Sequence, residues 1–495
     1  MKNDLHSFDY ALDVIDAEKL DELLASIDIE NRSVVIYGAA MCGRNCYSHL
    51  LYRNIMAECF VDRDVRLQKD SPFLRPVLSL EQFRKQYTGQ IVFVASFKEE
   101  VAVEIVSMLS DFVDVDNIIV VPVKKIQDTL PLPNSEYYID KKWNGISQST
   151  KNPSITVVSI VYNTPEGYLR RTIESVLKQT FQKFEYLIVD HASDDGITAK
   201  IINEYANADA RIRVIRTKVN YVNELKCGKE KDLSKLYDIF VEHINSPYAC
   251  VIDSDDCYNE AYFETAYALL RQYGADTYFM GAISYNEANY NEGNLWASFH
   301  LPPQNRIGIT EEDKAFLYAN AYKSIGGWGM LTKTELLLKG YKSIWVNTSL
   351  TSDLKGGFTV MLESSKCVFG EMVCLYYVNR KNSITATYTK KQIEQRLTNI
   401  IDLCMIERLG ILRNMLKGSE EKKRAVLYNY TEYHLMLLII YLTELCEMKL
   451  SPSDKQAIIS KIGLLKKEEY IVEVLYSRPY YVQKLQRIID KLVKI

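Results

Sequence analysis

Short apolar runs alternate with helical stretches through much of this chain. SVVIYGAAMCGRN, from Ser33, reads as a strand, a tight turn and a helix start, and β-like runs follow at AECFVD, IVFVAS and NIIVVP. Helical stretches such as SLEQFRKQY and KEEVAVEIVSMLS lie between them. Strands that alternate with helices predict a parallel α/β sheet. Residues 1 to about 30 read as helical and polar, and a polar, Pro-containing stretch from Pro131 to Ser154 reads as a linker. The alternation restarts at ITVVSIVYN and continues through RRTIESVLKQ, FEYLIVD, GITAKIINEYA, IRVIR and YACVID. After about residue 390 the strands stop and apolar residues recur at helical spacing. The expected division is 1–135 as a small Rossmann-like domain with a helical leader, 136–152 as linker, 153–390 as a second α/β domain, and 391–495 as a helical domain.

Composition narrows the classes. With 495 residues, 47% hydrophobic and 25% charged, the chain has the make-up of a soluble globular protein of several domains. A net charge of −4 advertises no nucleic-acid partner. Tyr is abundant, at 35 against 16 Phe, which suits half-polar surfaces such as sugar sites and equally suits core rims. The ten Cys show no metal-ligand rhythm; the nearest pair, Cys42 and Cys46, falls inside an expected helix. The first twenty residues lack an apolar signal core, and the longest apolar run, Tyr433 to Leu442, is too short for a membrane span. These features lead to an expected cytoplasmic location.

The run YACVIDSDDCY places Asp253, Asp255 and Asp256 at the mouth of a buried strand. Carboxylates this close repel one another, so either a cation belongs among them or they are a solvated turn that caps the next helix.

From Ile155 to about Thr385 the sequence resembles the family 2 glycosyltransferases of GT-A fold. The ordered segments TVVSIVYNTPEGYLRRTIESVLKQTFQKFEYLIVDHASDD, SPYACVIDSDD, GGWGMLTKTEL, TSD and YYVNRKNSIT carry the resemblance. It implies an α/β, GT-A nucleotide-diphospho-sugar transferase domain between the Rossmann-like and helical ones. It also implies that a divalent cation, Mn²⁺ or Mg²⁺, sits at the Asp253 and Asp255 pair, with Asp253 facing ribose or metal, Asp255 binding metal, and Asp256 a further or indirect ligand. Tyr162, Asn163 and Asp190 would hold the nucleotide of a donor sugar, UDP-linked in the favoured case. His191 stands where many members have a second Asp and is a further expected nucleotide contact, by hydrogen bonding or stacking, and Ile160 stands where Pro is frequent.

Other positions follow from the same resemblance. Asp353 is in register with the family's catalytic base, with Ser352 in place of its usual Glu partner. The alternative is a turn Asp before Gly356 and Gly357. Arg380 would bind the diphosphate, because its planar fork donates two hydrogen bonds. Trp328 would form a wall of the sugar site. The family's Ala-Arg-Asn segment, whose Arg helps hold the diphosphate, is replaced in KLYDIF by Leu236, Tyr237 and Asp238; Lys231 and Lys235 are nearby cations. Trp296 and His300 fall where such enzymes carry a mobile loop, and His300 is a candidate third metal ligand. The implied activity is metal-dependent, inverting sugar transfer to a glycan or lipid-linked acceptor; the rivals are a silent GT-A scaffold and a nucleotidyltransferase.

The flanking regions carry weaker signals. YGAAMCGRN keeps Gly38 and Gly43 of a dinucleotide fingerprint but has Ala40 at the middle glycine, while Asp62 stands at the ribose-contacting position. A docking or regulatory role is therefore favoured for this domain. In the last helix, Val482, Leu485, Ile488, Ile489 and Leu492 share a face, which fits a bundle or a helix lying on an anionic membrane.

Overall fold

The computed structural model describes residues 7–29, 32–131, 152–221, 234–286, 295–296, 305–321, 328–345, 353–379 and 390–493. The opening segment departs from the expected helix. Ser7–Ile15 is a strand, β1, and only Ala17–Ser26 is helical, as α1. Phe8, Tyr10, Leu12 and Val14 occupy alternate positions in SFDYALDVI, which is the period of a strand. An Asp16 cap, accepting from the Lys19 amide, starts α1.

Beyond it, β2 (Val34–Tyr37), α2 (Met41–Tyr52), β3 (Ala57–Val61), β4 (Val77–Leu78), α3 (Leu80–Gln86), β5 (Ile91–Val94), α4 (Glu99–Leu109) and β6 (Ile118–Val120) follow. The strand order β4-β3-β2-β5-β6 is all parallel, as in a Rossmann half, and β7 (Val123–Pro131) pairs with β1. Gly38 has φ of +112° and its missing Cβ would lie 2.5 Å from the Ala95 oxygen. A Cβ on Gly43 would lie 1.7 Å from the Gly38 oxygen, so both glycines serve the close strand-to-helix turn. Asp62 is already engaged: its carboxylate accepts from the amides of Ala39 at 2.8 Å and Asp64 at 2.8 Å.

The second sheet is built from β8 (Ile155–Val161), α5 (Glu166–Leu177), β9 (Phe184–Asp190), α6 (Thr198–Ala208), β10 (Ile212–Arg216), α7 (Ser234–His243), β11 (Tyr248–Val251) and β12 (Cys257–Tyr258). It continues through α8 (Tyr262–Tyr273), β13 (Thr277–Asn286), β14 (Leu295–Trp296), β15 (Arg306–Gly308), α9 (Glu311–Ala321) and β16 (Met330–Lys333). The series closes with α10 (Thr334–Trp345), α11 (Asp353–Glu363) and β17 (Cys367–Asn379). The order is β10-β9-β8-β11-β16-β13-β17-β12, with β14 on β13 and β15 on β17. Strands β10, β9, β8 and β11 run parallel, and β16 is antiparallel to β11.

Both faces of this sheet are covered. Ile155, Val157 and Val161 enter one core, while Val158 enters the other; Tyr186 and Ile188 divide from Leu187 and Val189 in the same way. Two buried faces explain why these strands read as continuous apolar runs. Helices α10 and α11 cross at two glycines. A Cβ on Gly340 would sit 2.9 Å from Val360 and 3.1 Å from the Gly356 oxygen, so Gly356 lies in a packed helix, not a turn. Gly340→Val is expected to destabilise this unit by roughly 1–3 kcal/mol through overpacking, read as an earlier thermal transition by circular dichroism.

The last region is helical: α12 (Lys390–Thr398), a π-helical segment (Asn399–Arg408), α13 (Leu409–Met415), α14 (Glu420–Cys446), α15 (Pro452–Leu465), α16 (Glu469–Tyr476) and α17 (Pro479–Val493). These helices and the first sheet form one compact unit (11–127, 315–323 and 389–495), whereas 1–10, 128–314 and 324–388 form the other. The expected first and last domains are thus packed together. Buried Glu432 accepts from Arg44 at 3.2 Å and Arg478 at 2.5 Å, Arg478 also pairs with Asp70, and Phe73 stacks on Tyr428. Leu485, Ile488 and Leu492 of α17 are buried, as a bundle helix requires. Among the described residues no helix is long and apolar enough to cross a membrane. A cavity of about 280 Å³ opens among these helices, lined by Leu397, Ile401, Leu442, Ile458, Lys461 and others, and shares no residue with the carboxylate turn.

Candidate active site

The chain runs from β8 outward to β10 and then returns to place β11 on the other side of β8. Such a reversal opens a crevice at the carboxyl ends of the strands, where α/β sheets take ligands. Tyr162 and Asn163 follow β8 into that crevice, Asp190 ends β9, and Asp253 lies just past β11. The topology therefore gathers these four expected positions at one edge.

Each has its own local account. Asp190 is buried, with one oxygen accepting from the Ser193 amide at 3.1 Å and the other from Arg216 Nε at 3.2 Å. Asn163 adopts φ of +46°, and its side chain brackets the loop after β9. Its Nδ2 donates to Asp194 at 2.6 Å, and its Oδ1 accepts from the amides of Asp194 at 3.0 Å and Asp195 at 3.3 Å. His191 is buried, and burial pushes its imidazole down to about 4, so it is uncharged near neutral pH. Its Nε2 accepts from the Tyr221 amide at 2.9 Å, which puts the ring proton on Nδ1, and the two rings lie 5.4 Å apart. His191 is thus the anchor of Tyr221.

The carboxylate turn is graded in exposure: Asp253 is exposed, Asp255 half-buried and Asp256 only 1% exposed. These aspartates do not cap the next helix. Chain reversal into β12 intervenes, and α8 starts after Ala261. Burial, with Asp255 and Asp253 close by, pushes the Asp256 carboxyl well above the usual carboxylate range. Its Oδ1 accepts from the Val378 amide at 2.8 Å; its Oδ2 is buried without a hydrogen-bond partner. An all-oxygen pair at Asp253 and Asp255 fits a hard divalent cation, which takes one or two carboxylates and completes its shell with phosphate and water. Among the described residues no three His, Cys, Asp or Glu side chains converge as a cage. The remaining ligands would come from the donor.

Trp328 is half-buried and stacks on Tyr377, with ring centroids 5.9 Å apart and planes at 25°. Asp353 is the first residue of α11. Leu236 is buried and packs α7 inward, while Lys235 is exposed with its Nζ 5.5 Å over the Tyr221 ring. Arg380, His300, Lys231 and Ser352 lie outside the described residues, as does the side chain of Trp296. Arg171, Thr172, Thr164, Arg216 and Tyr377 were not singled out from sequence. A buried Arg on an otherwise amphipathic helix leaves no local pattern that separates it from a surface Arg.

A mixed sheet with a carboxylate turn at its reversal point, covered by helices on both faces, defines a GT-A type fold. Residues 156–333 match the family described as glycosyl transferase family 2. Over that segment the chain is similar to this family. It is 28% identical to glycosyltransferase GlyA of Streptococcus pneumoniae serotype 4, over 53% of this chain and 35% of GlyA. It is 29% identical to GlyG of the same organism, over 28% of this chain and 42% of GlyG. The chain therefore spans less than half the length of these relatives. Among solved structures, S. aureus TarS 1-349 in complex with UDP is 16% identical with a TM-score of 0.45, covering 68% of this chain and 89% of that one.

Proposed function

We propose that the protein is a metal-dependent, inverting glycosyltransferase, moving a sugar from a nucleotide-diphosphate donor to a glycan acceptor in cell-surface polysaccharide or glycoconjugate synthesis. The observation that carries this reading is the Asp253 to Asp256 turn at the reversal point of a family 2 domain. Asp190 and Tyr162 would hold the nucleoside, Arg380 the diphosphate, and Trp328 a wall of the sugar site. Asp353 would take the proton of the acceptor hydroxyl as its oxygen bonds to the anomeric carbon and the carbon–phosphate-oxygen bond breaks. Mn²⁺ or Mg²⁺ at Asp253 and Asp255 would offset the charge left on the diphosphate.

A thermal-shift screen of nucleotide sugars, UDP-linked ones first, followed by donor hydrolysis with and without Mn²⁺, tests this. Metal-dependent turnover of one donor is expected. The second reading, a silent GT-A module that binds glycan or scaffolds a partner, draws on Tyr237 of α7, a half-buried tyrosine where the resemblance places the family's diphosphate Arg. Absence of any metal-dependent turnover would select it.

A further inference from the structure

The Asp253 to Asp256 turn is gripped from three directions. Thr164 Oγ1, just past β8, lies 2.6 Å from Ser254 Oγ. From α5, Arg171 donates to the Asp255 carbonyl at 2.5 Å and Thr172 Oγ1 to the Asp256 carbonyl at 2.6 Å. From β17, the Val378 amide donates to Asp256 Oδ1. The third grip is a side-chain extension of a backbone ladder. Strand β12 pairs with β17 antiparallel through Cys257 with Tyr376 and Tyr258 with Leu375. Moving back along β12, the backbone turns away at Asp256, and its carboxylate takes over as acceptor for the next part of β17. Tyr377, between these two rungs, is the residue that stacks on Trp328.

We propose that Asp256 is a positioning residue: it ties the carboxylate turn to β17, and so fixes Asp253 and Asp255 relative to the Trp328 and Tyr377 pair. The inference rests on the glycosyltransferase reading above. Direct ligation fits the geometry less well. Asp256 is enclosed, and rotating its carboxylate toward the crevice would break the Val378 bond and leave that buried amide unsatisfied. Supporting groups that orient metal ligands are worth roughly 10- to 100-fold in metal affinity.

The test is Mn²⁺ binding by the full chain with UDP present, measured by calorimetry and so independent of turnover. Asp255→Asn serves as the ligand reference and is expected to lose Mn²⁺. Asp256→Asn keeps an Oδ1 acceptor for Val378 and is expected within about twofold of wild type. Asp256→Ala removes the tether and is expected to weaken Mn²⁺ roughly tenfold, with a raised donor KM. Thr172→Val loosens the same residue from α5 and is expected to shift affinity in the same direction; it decides the matter if the alanine variant folds poorly. Loss of Mn²⁺ in Asp256→Asn as deep as in Asp255→Asn would make Asp256 a ligand and overturn the proposal. Wild-type affinity in Thr172→Val together with Asp256→Ala would overturn it as well. A wild-type chain that binds neither Mn²⁺ nor UDP would instead overturn the glycosyltransferase reading, and this proposal with it.

Discussion

Asp255→Ala is expected to remove turnover by roughly 10³-fold or more while leaving thermal unfolding of the chain essentially unchanged. Asp255 is half-buried on the turn after β11, and its backbone carbonyl accepts a hydrogen bond from Arg171. The backbone grip survives truncation, so the fold should too. What is lost is a charged oxygen that would hold the cation against the departing diphosphate. Several kcal/mol of charge stabilisation then disappears from the transition state, and each 1.4 kcal/mol is about tenfold in rate. Steady-state kinetics with a saturating donor, beside a circular dichroism melt, check both halves. Retained turnover would remove the metal from the account.

The second large effect falls on the acceptor side. Asp353→Asn is expected to lower kcat by about 10²- to 10⁴-fold, the range for a lost general base, and to leave donor affinity near wild type. The amide is isosteric and cannot take a proton. Asp353 opens α11, and Gly340 and Gly356 allow the close packing of that helix on α10. Calorimetric donor binding, beside transfer kinetics, separates chemistry from binding. Normal transfer by this variant would remove the base assignment.

The legible parts of this molecule are those fixed by local pattern. Strands β8, β9 and β11 are covered on both faces, so their apolar runs were continuous and readable. The carboxylate turn was visible because three aspartates at a strand end cost energy without a reason. Ser7–Ile15 was misread although its alternation was present, because the helix α1 follows it almost directly, with only Asp16 between them. The union of the first sheet with the last helices could not be read: Arg44, Asp70, Glu432 and Arg478 meet only in space. The same holds for the tether between Asp256 and Val378, and for the bonds by which Asn163 joins the loop after β9 at Asp194 and Asp195. Contacts between distant segments leave no periodic trace in a single chain.

The central claim is that a cation joins the aspartate pair to the donor diphosphate. Crystals of the full chain soaked with UDP and MnCl₂, measured at the manganese edge, address it most directly. The account expects an anomalous peak within coordination distance of Asp255 and the diphosphate oxygens, with Asp256 still bonded to Val378. Bound nucleotide with no such peak at these carboxylates would contradict it.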